Sequence, residues 1–586
     1  MAATAGSRNP SAEAIEQQIA RVVASTRFQT SQRLRELLHF TVSQALRGGS
    51  DTLKESVLGV EVFGRKPGYD SESSSVVRVE FARLRKKLEE YYQTEGRDDP
   101  VRICYLKGSY VPEFRWREEA APALGEPAAY ASSLAVLPLV HQGSNPDDEY
   151  FADGLTDELI TALSRVRGLK VVARTSSFAF KGRADDVREI GRTLKVDSVL
   201  EGSVRRQKDL LRIHVQLIDV NDGCQLWAQK YERRLTDVFE VQDEIAAAIV
   251  EALKLELPRV RAGRLLPRTK NAEAHELYLK GRYWWHRWTA AALSKAAVFF
   301  GEAIERDPSY AAPYSGLADC YFLQGFHGFG RPADLMGKAY VVARKALEID
   351  ETLAEAHCSL ALLENAWNWD SARCEAEFRR CLELNPGYAL ALAKYGTSYL
   401  TTLGRFEEAS EYISRALELD PLSPYIHADL ACNYGYRGLM ERFEVEARKV
   451  LEMDPGMLKV YWTQVYARWR QGDWAGAAEA AEKGLAVSPD DPLTLAFAAW
   501  ASSGRGDRVR AEEIRRSIHR LAESRYIPPS CLALTEFPFG SADAVFDQLE
   551  KGVELRDPIL RFLRVFPFDL LKSDPRYNAL LRKVGL

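Results

Sequence analysis

The chain has 586 residues, of which 46% are apolar and 28% are charged, and its formal net charge is −4. These values are typical of an ordinary globular protein, and the length corresponds to about four domain-sized units. The near-neutral total excludes a chain that is a polyanion or a polycation as a whole. No apolar run approaches about 18 residues, so no membrane-spanning helix is predicted.

The first residues and the cysteines bear on the cellular compartment. The opening sequence, MAATAGSRNPSAEAIEQQ, lacks a basic start followed by an apolar stretch, so no secretory signal is predicted. The eight cysteines are scattered and none forms a CxxC pair, which is typical of reduced thiols rather than of a disulfide framework. We therefore expect a cytoplasmic protein.

Residues 11–117 are predicted to form the first domain. Residues 1–117 carry 19 basic and 15 acidic residues, a net charge of +4. In VVRVEFARLRKKLEEYY (76–92) the apolar residues recur at spacings of four, three, four and three, which places them on one side of a helix. The other predicted elements of this domain are helices at 33–49 and 53–64 and a β-hairpin at 101–114.

Helix, helix, basic helix and hairpin follow one another in the order of a winged helix. RLRKKLE (83–89), followed by LKGSY (106–110), resembles the DNA-binding effector domain of OmpR/PhoB-type regulators. LKESVLGVEVFG (53–64) lies where those proteins carry the first helix of their helix-turn-helix. The resemblance implies that 75–92 is a recognition helix in a major groove and that the hairpin around Lys107 is the wing.

The same resemblance implies which basic residues contact DNA. Arg83 and Arg85 occupy the family's arginine positions, where a guanidinium grips guanine or phosphate with two donors. Glu80 and Ala82 depart from the family, which often has His and Arg there, and a carboxylate repels DNA unless it reads a cytosine amino group. This departure weakens the prediction of base-specific contacts more than the prediction of contacts to the DNA backbone. The alternative is that the basic side of this helix is only a solvated surface. The predicted DNA-binding residues are Arg78, Arg83, Arg85, Lys86, Lys87 and Lys107.

The middle of the chain is predicted to hold an Ala- and Pro-rich linker at 118–131 and an α/β domain at 132–256. The segment LLRIHVQLIDV (210–220) alternates apolar and polar residues, so one face of this strand should be buried. The other predicted elements are strands at 133–140, 169–174, 198–207 and 224–233 and helices that begin at 153, at 186 and at 237.

Three phrases of this domain resemble the TolB amino-terminal-like domain and the related FlgO-type domain. They are EYFADGLTDELITAL (149–163), VVARTSSFAFKG (171–182) and VLEGSVRR (199–206). The resemblance implies a non-catalytic domain for protein contact or assembly; the family's periplasmic location is not expected here, because no export signal precedes the domain. The polar run 174–177 leaves the end of a strand, where α/β folds often bind ligands. We expect a capped structural loop there, with a small-ligand site as the alternative.

From residue 300 onward one phrase recurs, which indicates a repeat protein. The last residues of its copies lie 43, 35, 35, 34 and 34 positions apart, and the longest spacing marks an insertion near FHGFGRP (326–332). Each unit should contain two helices, the second ending at Asp-Pro because proline cannot continue the helix before it. About eight units are expected. The copies are AIERDP (303–308), ALEIDE (346–351), CLELNP (381–386), ALELDP (416–421), VLEMDP (450–455) and GLAVSP (484–489).

The period and the closing phrase resemble the tetratricopeptide repeat, over 270–586. The resemblance implies a solenoid whose concave groove binds a protein or peptide and performs no chemistry. The tryptophan cluster in GRYWWHRW (281–288) should pack against the preceding domain, with partner binding as the alternative. The insertion should form a loop on one face, and the tail 574–586 should cap the last repeat.

The sequence shows no catalytic signature: GxxxxGK[ST], GxSxG and HExxH are absent. The nine histidines are dispersed, and none pairs with Cys or another His at metal-ligand spacing. We therefore expect no enzyme activity, no cofactor and no metal.

Together these patterns predict a multidomain α and α/β protein with an N-terminal winged helix, a central TolB-like α/β domain and a C-terminal α-solenoid. The predicted function is a cytoplasmic, bacterial transcriptional regulator that binds double-stranded DNA through its first domain and a protein partner or signal through the others. A homodimer on paired half-sites is compatible with this function. The alternative is a scaffold for protein–protein interactions that never touches DNA. A continuous, exposed basic face on the 76–92 helix would favour the regulator.

Overall fold

The protein divides into two compact units, Met1–Glu126 and Pro127–Leu586. None of the helices in the described residues is long and apolar enough to cross a membrane. The computed structural model describes residues 10–29, 31–47, 49, 52–64, 76–96, 99–105, 109–116, 130–143, 149–207, 210–234, 237–253, 269–565 and 567–586.

The first unit contains the predicted helices and strand pair, preceded by two helices that the sequence patterns did not identify. The strands are antiparallel, with Ile103 opposite Phe114. The predicted turn at Lys107-Gly108 lies outside the described residues. The elements are α1 (Ala12–Ala24), α2 (Thr26–Gln29), α3 (Gln32–Leu46), α4 (Glu55–Glu61), α5 (Val76–Gln93), β1 (Val101–Tyr105) and β2 (Pro112–Trp116).

The apolar stripe of α5 forms the centre of this unit's core. Phe81 is fully buried and meets the rings of Tyr105 and Tyr110 edge-on, with centroids 5.5 and 4.7 Å apart. The Ile103 N–H donates to the Tyr92 hydroxyl at 2.9 Å, which joins β1 to the same helix. Because one side of α5 is held in this way, its opposite side faces solvent.

The second unit begins with a mixed six-stranded sheet in the order β5-β3-β6-β7-β8, with β4 paired to β6. β3 runs parallel to β5 and β6, and β7 runs antiparallel to both of its neighbours. The strands are β3 (Ser132–Val136), β4 (Val140–His141), β5 (Leu169–Val171), β6 (Ser198–Gln207), β7 (Leu210–Asp219) and β8 (Gln225–Arg234). The helices are α6 (Glu149–Ser164), α7 (Arg174–Phe178), α8 (Val187–Leu194) and α9 (Val238–Ala252).

The predicted alternation along β7 is confirmed, since its odd-numbered residues from 211 to 217 are buried. The apolar faces of α6 and α9 share one core with the inward residues of the sheet. The segment predicted as one strand at 133–140 is interrupted between β3 and β4. The polar run 174–177, expected as a loop, forms the short helix α7 instead.

Eight pairs of helices follow, as the repeated phrase predicted. In the first six pairs the second helix ends at the phrase; α17 ends before Asp420-Pro421 and α19 before Asp454-Pro455. The helices are α10 (Ala272–Trp285), α11 (Ala290–Arg306), α12 (Ala311–Phe326), α13 (Pro332–Ile349), α14 (Ala354–Leu363), α15 (Ser371–Leu384), α16 (Ala389–Lys394), α17 (Phe406–Leu419), α18 (Pro424–Tyr436), α19 (Met440–Met453), α20 (Leu458–Arg470), α21 (Trp474–Val487), α22 (Pro492–Gly504), α23 (Arg508–Ser524), α24 (Pro529–Glu536) and α25 (Ala542–Glu554).

The extra residues of the second repeat do not form the surface loop that the sequence pattern predicted. Only residues 327–331 lie between α12 and α13, and these helices are 16 and 18 residues long, whereas α18 and α19 have 13 and 14. Most of the extra length therefore extends the two helices rather than a surface loop.

The C-terminal tail, with α26 (Pro575–Lys583), closes back onto the third repeat through a buried arginine. Arg561 is fully buried. Its guanidinium donates to the Asn365 side-chain oxygen at 2.8 and 3.0 Å and to the Val584 and Gly585 carbonyls at 2.7 and 3.0 Å. Gly585 has a φ of +71°, and a Cβ there would lie 2.3 Å from the Trp369 carbonyl oxygen. The tail thus caps the solenoid and also ties its end to its middle.

We expect Arg561→Met to lower the stability of the protein by about 2–4 kcal/mol. The substitution keeps much of the side-chain volume but leaves the Asn365 oxygen and two carbonyls buried without a donor. Burial lowers the pKa of Arg561 to about 10, so the lost group is charged at neutral pH. The measurement is urea denaturation followed by circular dichroism, with the exposed Arg582→Met as matched control. Equal stability of the two variants would contradict the conclusion that Arg561 holds the C-terminal tail on the third repeat.

Candidate functional sites

The outward face of α5 is the first candidate site. Six residues on the inner side of this helix are buried, while Arg78, Val79, Ala82, Arg83 and Lys86 are exposed. Val79 is 44% exposed, which is unusual for a large apolar side chain in this unit. The exposed face thus combines three cations with two apolar residues.

Two of these arginines also contact acidic neighbours. Arg83 donates to Glu80 at 2.7 Å, and Arg78 donates to Glu55 at 3.2 Å. The Glu80 side chain is only 13% exposed, whereas that of Arg83 is 67% exposed. Exposed ion pairs contribute little stability, so a phosphate can compete for these guanidinium groups.

The remaining predicted DNA-binding residues do not lie fully on the outward face of α5. Lys87 donates to the Arg27 carbonyl at 2.7 Å and to the Ser31 hydroxyl at 2.6 Å, so it ties α5 to the α2–α3 connection. Arg85 is half-buried at the edge of the outward face. Lys107 lies outside the described residues.

A shallow cleft adjoins the outward face and includes a cation that the sequence patterns did not identify. The N-terminus of α3 lines it, and a helix N-terminus favours anions. Arg33 joins Arg83 and Lys86 in this cleft, which also contains Glu36, Glu80 and Glu90.

The second candidate site lies where the α/β layer packs into the first five repeats of the solenoid. Helix α6 enters this surface with Asp157 and Glu158 buried. Gly154 permits the approach, because a Cβ there would lie 2.8 Å from the Leu279 side chain of α10. A buried carboxylate requires a charged or hydrogen-bonding partner, and the solenoid supplies these partners.

The partners of α6 come from α10. Arg282 donates to Asp157 at 2.8 Å, His286 lies 3.2 Å from the same oxygen, and His275 lies 3.0 Å from Glu158. Burial alone would raise the pKa of Asp157, but Arg282, His286 and Arg174 together outweigh it and hold that pKa well below its usual range. Burial lowers the pKa of His286 to about 3, so the imidazole is neutral at pH 7.

A second group of contacts joins α7 and the end of α6 to later repeats. The Ser176 N–H and hydroxyl both donate to Asp420, at 2.9 and 2.5 Å. Arg165 pairs with Glu355 at 3.2 Å. The polar run predicted as a possible ligand loop therefore serves, at Ser176, to hold the α/β layer on the solenoid.

A cavity of about 420 Å³ remains between these contacts. Trp285 and Trp288 line it, as do residues of α6 and α7, so the tryptophan cluster does meet the preceding domain. Among the described residues, the Trp285 ring N–H, the Ser315 hydroxyl and the Asn385 side-chain oxygen are buried in its wall without a hydrogen-bond partner. Buried polar atoms without a partner are uncommon, and each needs an explanation such as a bound water or ion.

The comparisons with known proteins match the central region and the repeats. Residues 130–248 match the family model "HilA/YgeH-like transcriptional regulator, second domain". Residues 389–421 match a tetratricopeptide-repeat model. Together with the eight helix pairs, this confirms the predicted repeat type.

Two relatives illustrate the sequence similarity. "Putative adenylate cyclase 3" of Rhizobium meliloti (strain 1021) is 36% identical over 291 residues, 49% of this chain and 48% of that protein. "Transcriptional regulator HilA" of Salmonella typhimurium (strain LT2) is 23% identical over 325 residues, 54% of this chain and 56% of that protein. The chain thus spans about half the length of the curated relatives it matches.

Two solved structures are similar to parts of this chain. YrrB, described as a TPR protein with an unusual peptide-binding site, is 21% identical, with a TM-score of 0.25 over 33% of this chain and 95% of that one. The type IV pilus biogenesis factor PilW is 15% identical, with a TM-score of 0.31 over 41% of this chain and 98% of that one.

Asp319 of α12 also lines the cavity, and its substitution by Asn tests how strongly the site is desolvated. Burial raises the pKa of Asp319 to about 7. The folded protein therefore holds this proton more tightly than the unfolded chain, and stability falls as the pH rises from about 4 to about 7. Asp319→Asn imitates the protonated form and can still accept from the Ser359 hydroxyl.

We expect the variant to be more stable than the wild type at pH 8, by about 1 kcal/mol or more. The difference should shrink at pH 5. Thermal melting at the two pH values measures this, with the exposed Glu305→Gln as control. A variant less stable than the wild type at pH 8 would show that the carboxylate is well solvated or paired.

Proposed function

We propose that this protein is a cytoplasmic, DNA-binding transcriptional regulator. The observation that carries the proposal is the outward face of α5, where Arg78, Arg83 and Lys86 are exposed beside Val79 and Ala82. In this proposal the first unit is a winged helix of the OmpR/PhoB type, α5 is its recognition helix, and the β1–β2 hairpin is its wing.

The chemistry of this face suits duplex DNA. Arg83 can release Glu80 and bind guanine or phosphate with two donors, and Lys86 adds phosphate charge. Val79 and Ala82 can contact thymine methyl groups, which only the major groove displays. Glu80, which departs from the family at this position, is mostly buried, so its carboxylate need not approach the DNA.

The second unit would bind the protein partner or the signal molecule. The similarity to HilA and to the second domain of HilA-like regulators supports a regulatory role for the region around 130–248, which we also propose is TolB-like. The α/β layer already lies against the first five repeats, so a protein or peptide would bind later repeats or displace α6 and α7. A ligand that prefers one arrangement of the chain would change DNA affinity by linkage. A homodimer on paired half-sites fits this mechanism.

The alternative is a scaffold for protein–protein interactions that never touches DNA. The acidic neighbours Glu55, Glu80 and Glu90 around the basic face are the observation in its favour. The two functions differ in whether the face binds duplex DNA in a salt-dependent way.

DNA binding should depend on salt and on the outward face. We expect the full-length protein to bind duplex DNA with a log–log salt slope of about −0.9 for each phosphate neutralised. Arg83→Ala/Lys86→Ala should weaken binding about 10- to 100-fold near 0.1 M salt and reduce the slope by about 2. Fluorescence anisotropy with a labelled duplex measures both quantities.

The matched control is Arg21→Ala, which removes an arginine that is 47% exposed on α1 and paired with Asp99. It should bind like the wild type. Absence of binding at low salt, or equal losses in the control and the double variant, would favour the scaffold.

We further propose that the protein is not an enzyme and needs no cofactor or metal. The relative named as an adenylate cyclase motivates a direct test. Purified protein incubated with ATP and Mg²⁺ or Mn²⁺ should form no cyclic AMP above a heat-denatured control, measured by mass spectrometry. Cyclic AMP formation proportional to protein concentration would contradict this part of the proposal.

A further inference from the structure

The cavity between the α/β layer and the solenoid has an excess of acidic groups in its wall. Six carboxyl groups and three guanidinium groups line it. Arg282 and Arg165 are each paired with a carboxylate, Asp157 and Glu355. The Arg174 guanidinium lies 3.5 Å from the Phe178 ring centroid and close enough to Asp157 to be stabilised by its charge. The cations of the wall are therefore already compensated.

Asp319 is a carboxyl of this wall that accepts from the Ser359 hydroxyl. Like Asp420, which accepts from Ser176, it has no basic side chain within ion-pair distance among the described residues. Ser315 precedes it by one helical turn on α12, so both side chains lie on the same face of the helix. The Ser315 hydroxyl, in a residue only 3% exposed, is buried and has no hydrogen-bond partner in the part of the chain that the structure describes.

Asn385 and Trp285 add two more unsatisfied groups to the same cavity. The Asn385 amide donates to Ser164, while its oxygen has no donor among the described residues. Asn385 is 1% exposed and Trp285 is 5% exposed. The wall thus offers an acceptor at Asn385, a hydroxyl at Ser315 and an N–H donor at Trp285.

Six Tyr and Trp side chains complete the lining, and the protein's own cations already lie over three of them, Tyr425, Trp288 and Trp285. The Lys459 ammonium lies 3.6 Å and the Lys394 ammonium 4.4 Å from the Tyr425 ring centroid. Cations are attracted to the faces of such rings, most strongly where water is excluded. Tyr310 and Tyr388 also line the cavity.

We propose that this cavity binds a small organic ammonium group, which pairs with Asp319 and contacts the surrounding aromatic rings. The ammonium donates to the Asp319 carboxylate, the Ser315 hydroxyl and the Asn385 oxygen, and the Trp285 N–H donates to an acceptor elsewhere on the ligand. An anion is disfavoured because the wall already holds an excess of carboxylates. This binding goes beyond the proposed DNA recognition and does not depend on it.

The test compares three probes of nearly equal size with the full-length protein: phenethylamine, 2-phenylethanol and 3-phenylpropionate. They are cationic, neutral and anionic, so any difference in binding reports charge. At pH 8 phenethylamine should raise the melting temperature by on the order of 2 °C at saturation. In calorimetric titration it should bind at least about tenfold more tightly than the other two.

Asp319→Asn is the discriminating variant, because it should fold and be more stable than the wild type at pH 8. It should lose the preference for the cationic probe, while Glu305→Gln should keep it. Equal binding of the three probes to the wild type, or an unchanged preference in Asp319→Asn, would overturn the proposal.

The ammonium group could belong to a free amine or to a lysine side chain. Nα-acetyl-lysine amide distinguishes the two sources: binding of this compound in preference to phenethylamine would identify a lysine of a protein or peptide as the ligand. DNA affinity, measured separately on the same preparation, shows whether a failure concerns the cavity or the proposed function.

Discussion

The burial of α6 against the solenoid is the constraint on which the second unit depends. This helix carries two carboxylates, Asp157 and Glu158, into a nearly water-free contact, where an unpaired charge would cost several kcal/mol. Arg282 and His275 on α10 satisfy them together with His286, the residue that follows this helix. Because both sides of the contact need each other, the α/β layer and the solenoid form one compact unit rather than two independent domains.

This contact changes what the solenoid can do. The surface of the first five repeats, which a repeat protein of this kind would offer to a partner, already holds the chain's own α6 and α7. The space left there is a cavity with acidic and aromatic walls, which suits a small cation better than an extended peptide. A ligand in this cavity would touch both the α/β layer and the solenoid, so its binding energy would depend on their relative position.

Much of this architecture follows from local patterns, and the rest depends on distant contacts. The period of the Asp-Pro phrase predicts the eight helix pairs, the alternation from 210 to 220 predicts β7, and the stripe of α5 predicts its outward face. The cavity could not be predicted, because Asp157 and Arg282 are 125 positions apart in the chain. The contact of Arg561 with Asn365 spans 196 positions. Helices α1 and α2 were missed although Ile15, Ile19 and Val22 form an apolar stripe on α1.

In the proposed function, the outward face of α5 recognises DNA sequence. Selection of bound duplexes from a random pool by the full-length protein, followed by sequencing, tests it most directly. We predict that the wild type enriches a recurrent DNA motif and that Arg83→Ala/Lys86→Ala loses this enrichment. A selected pool with the same sequence composition as the input would contradict it.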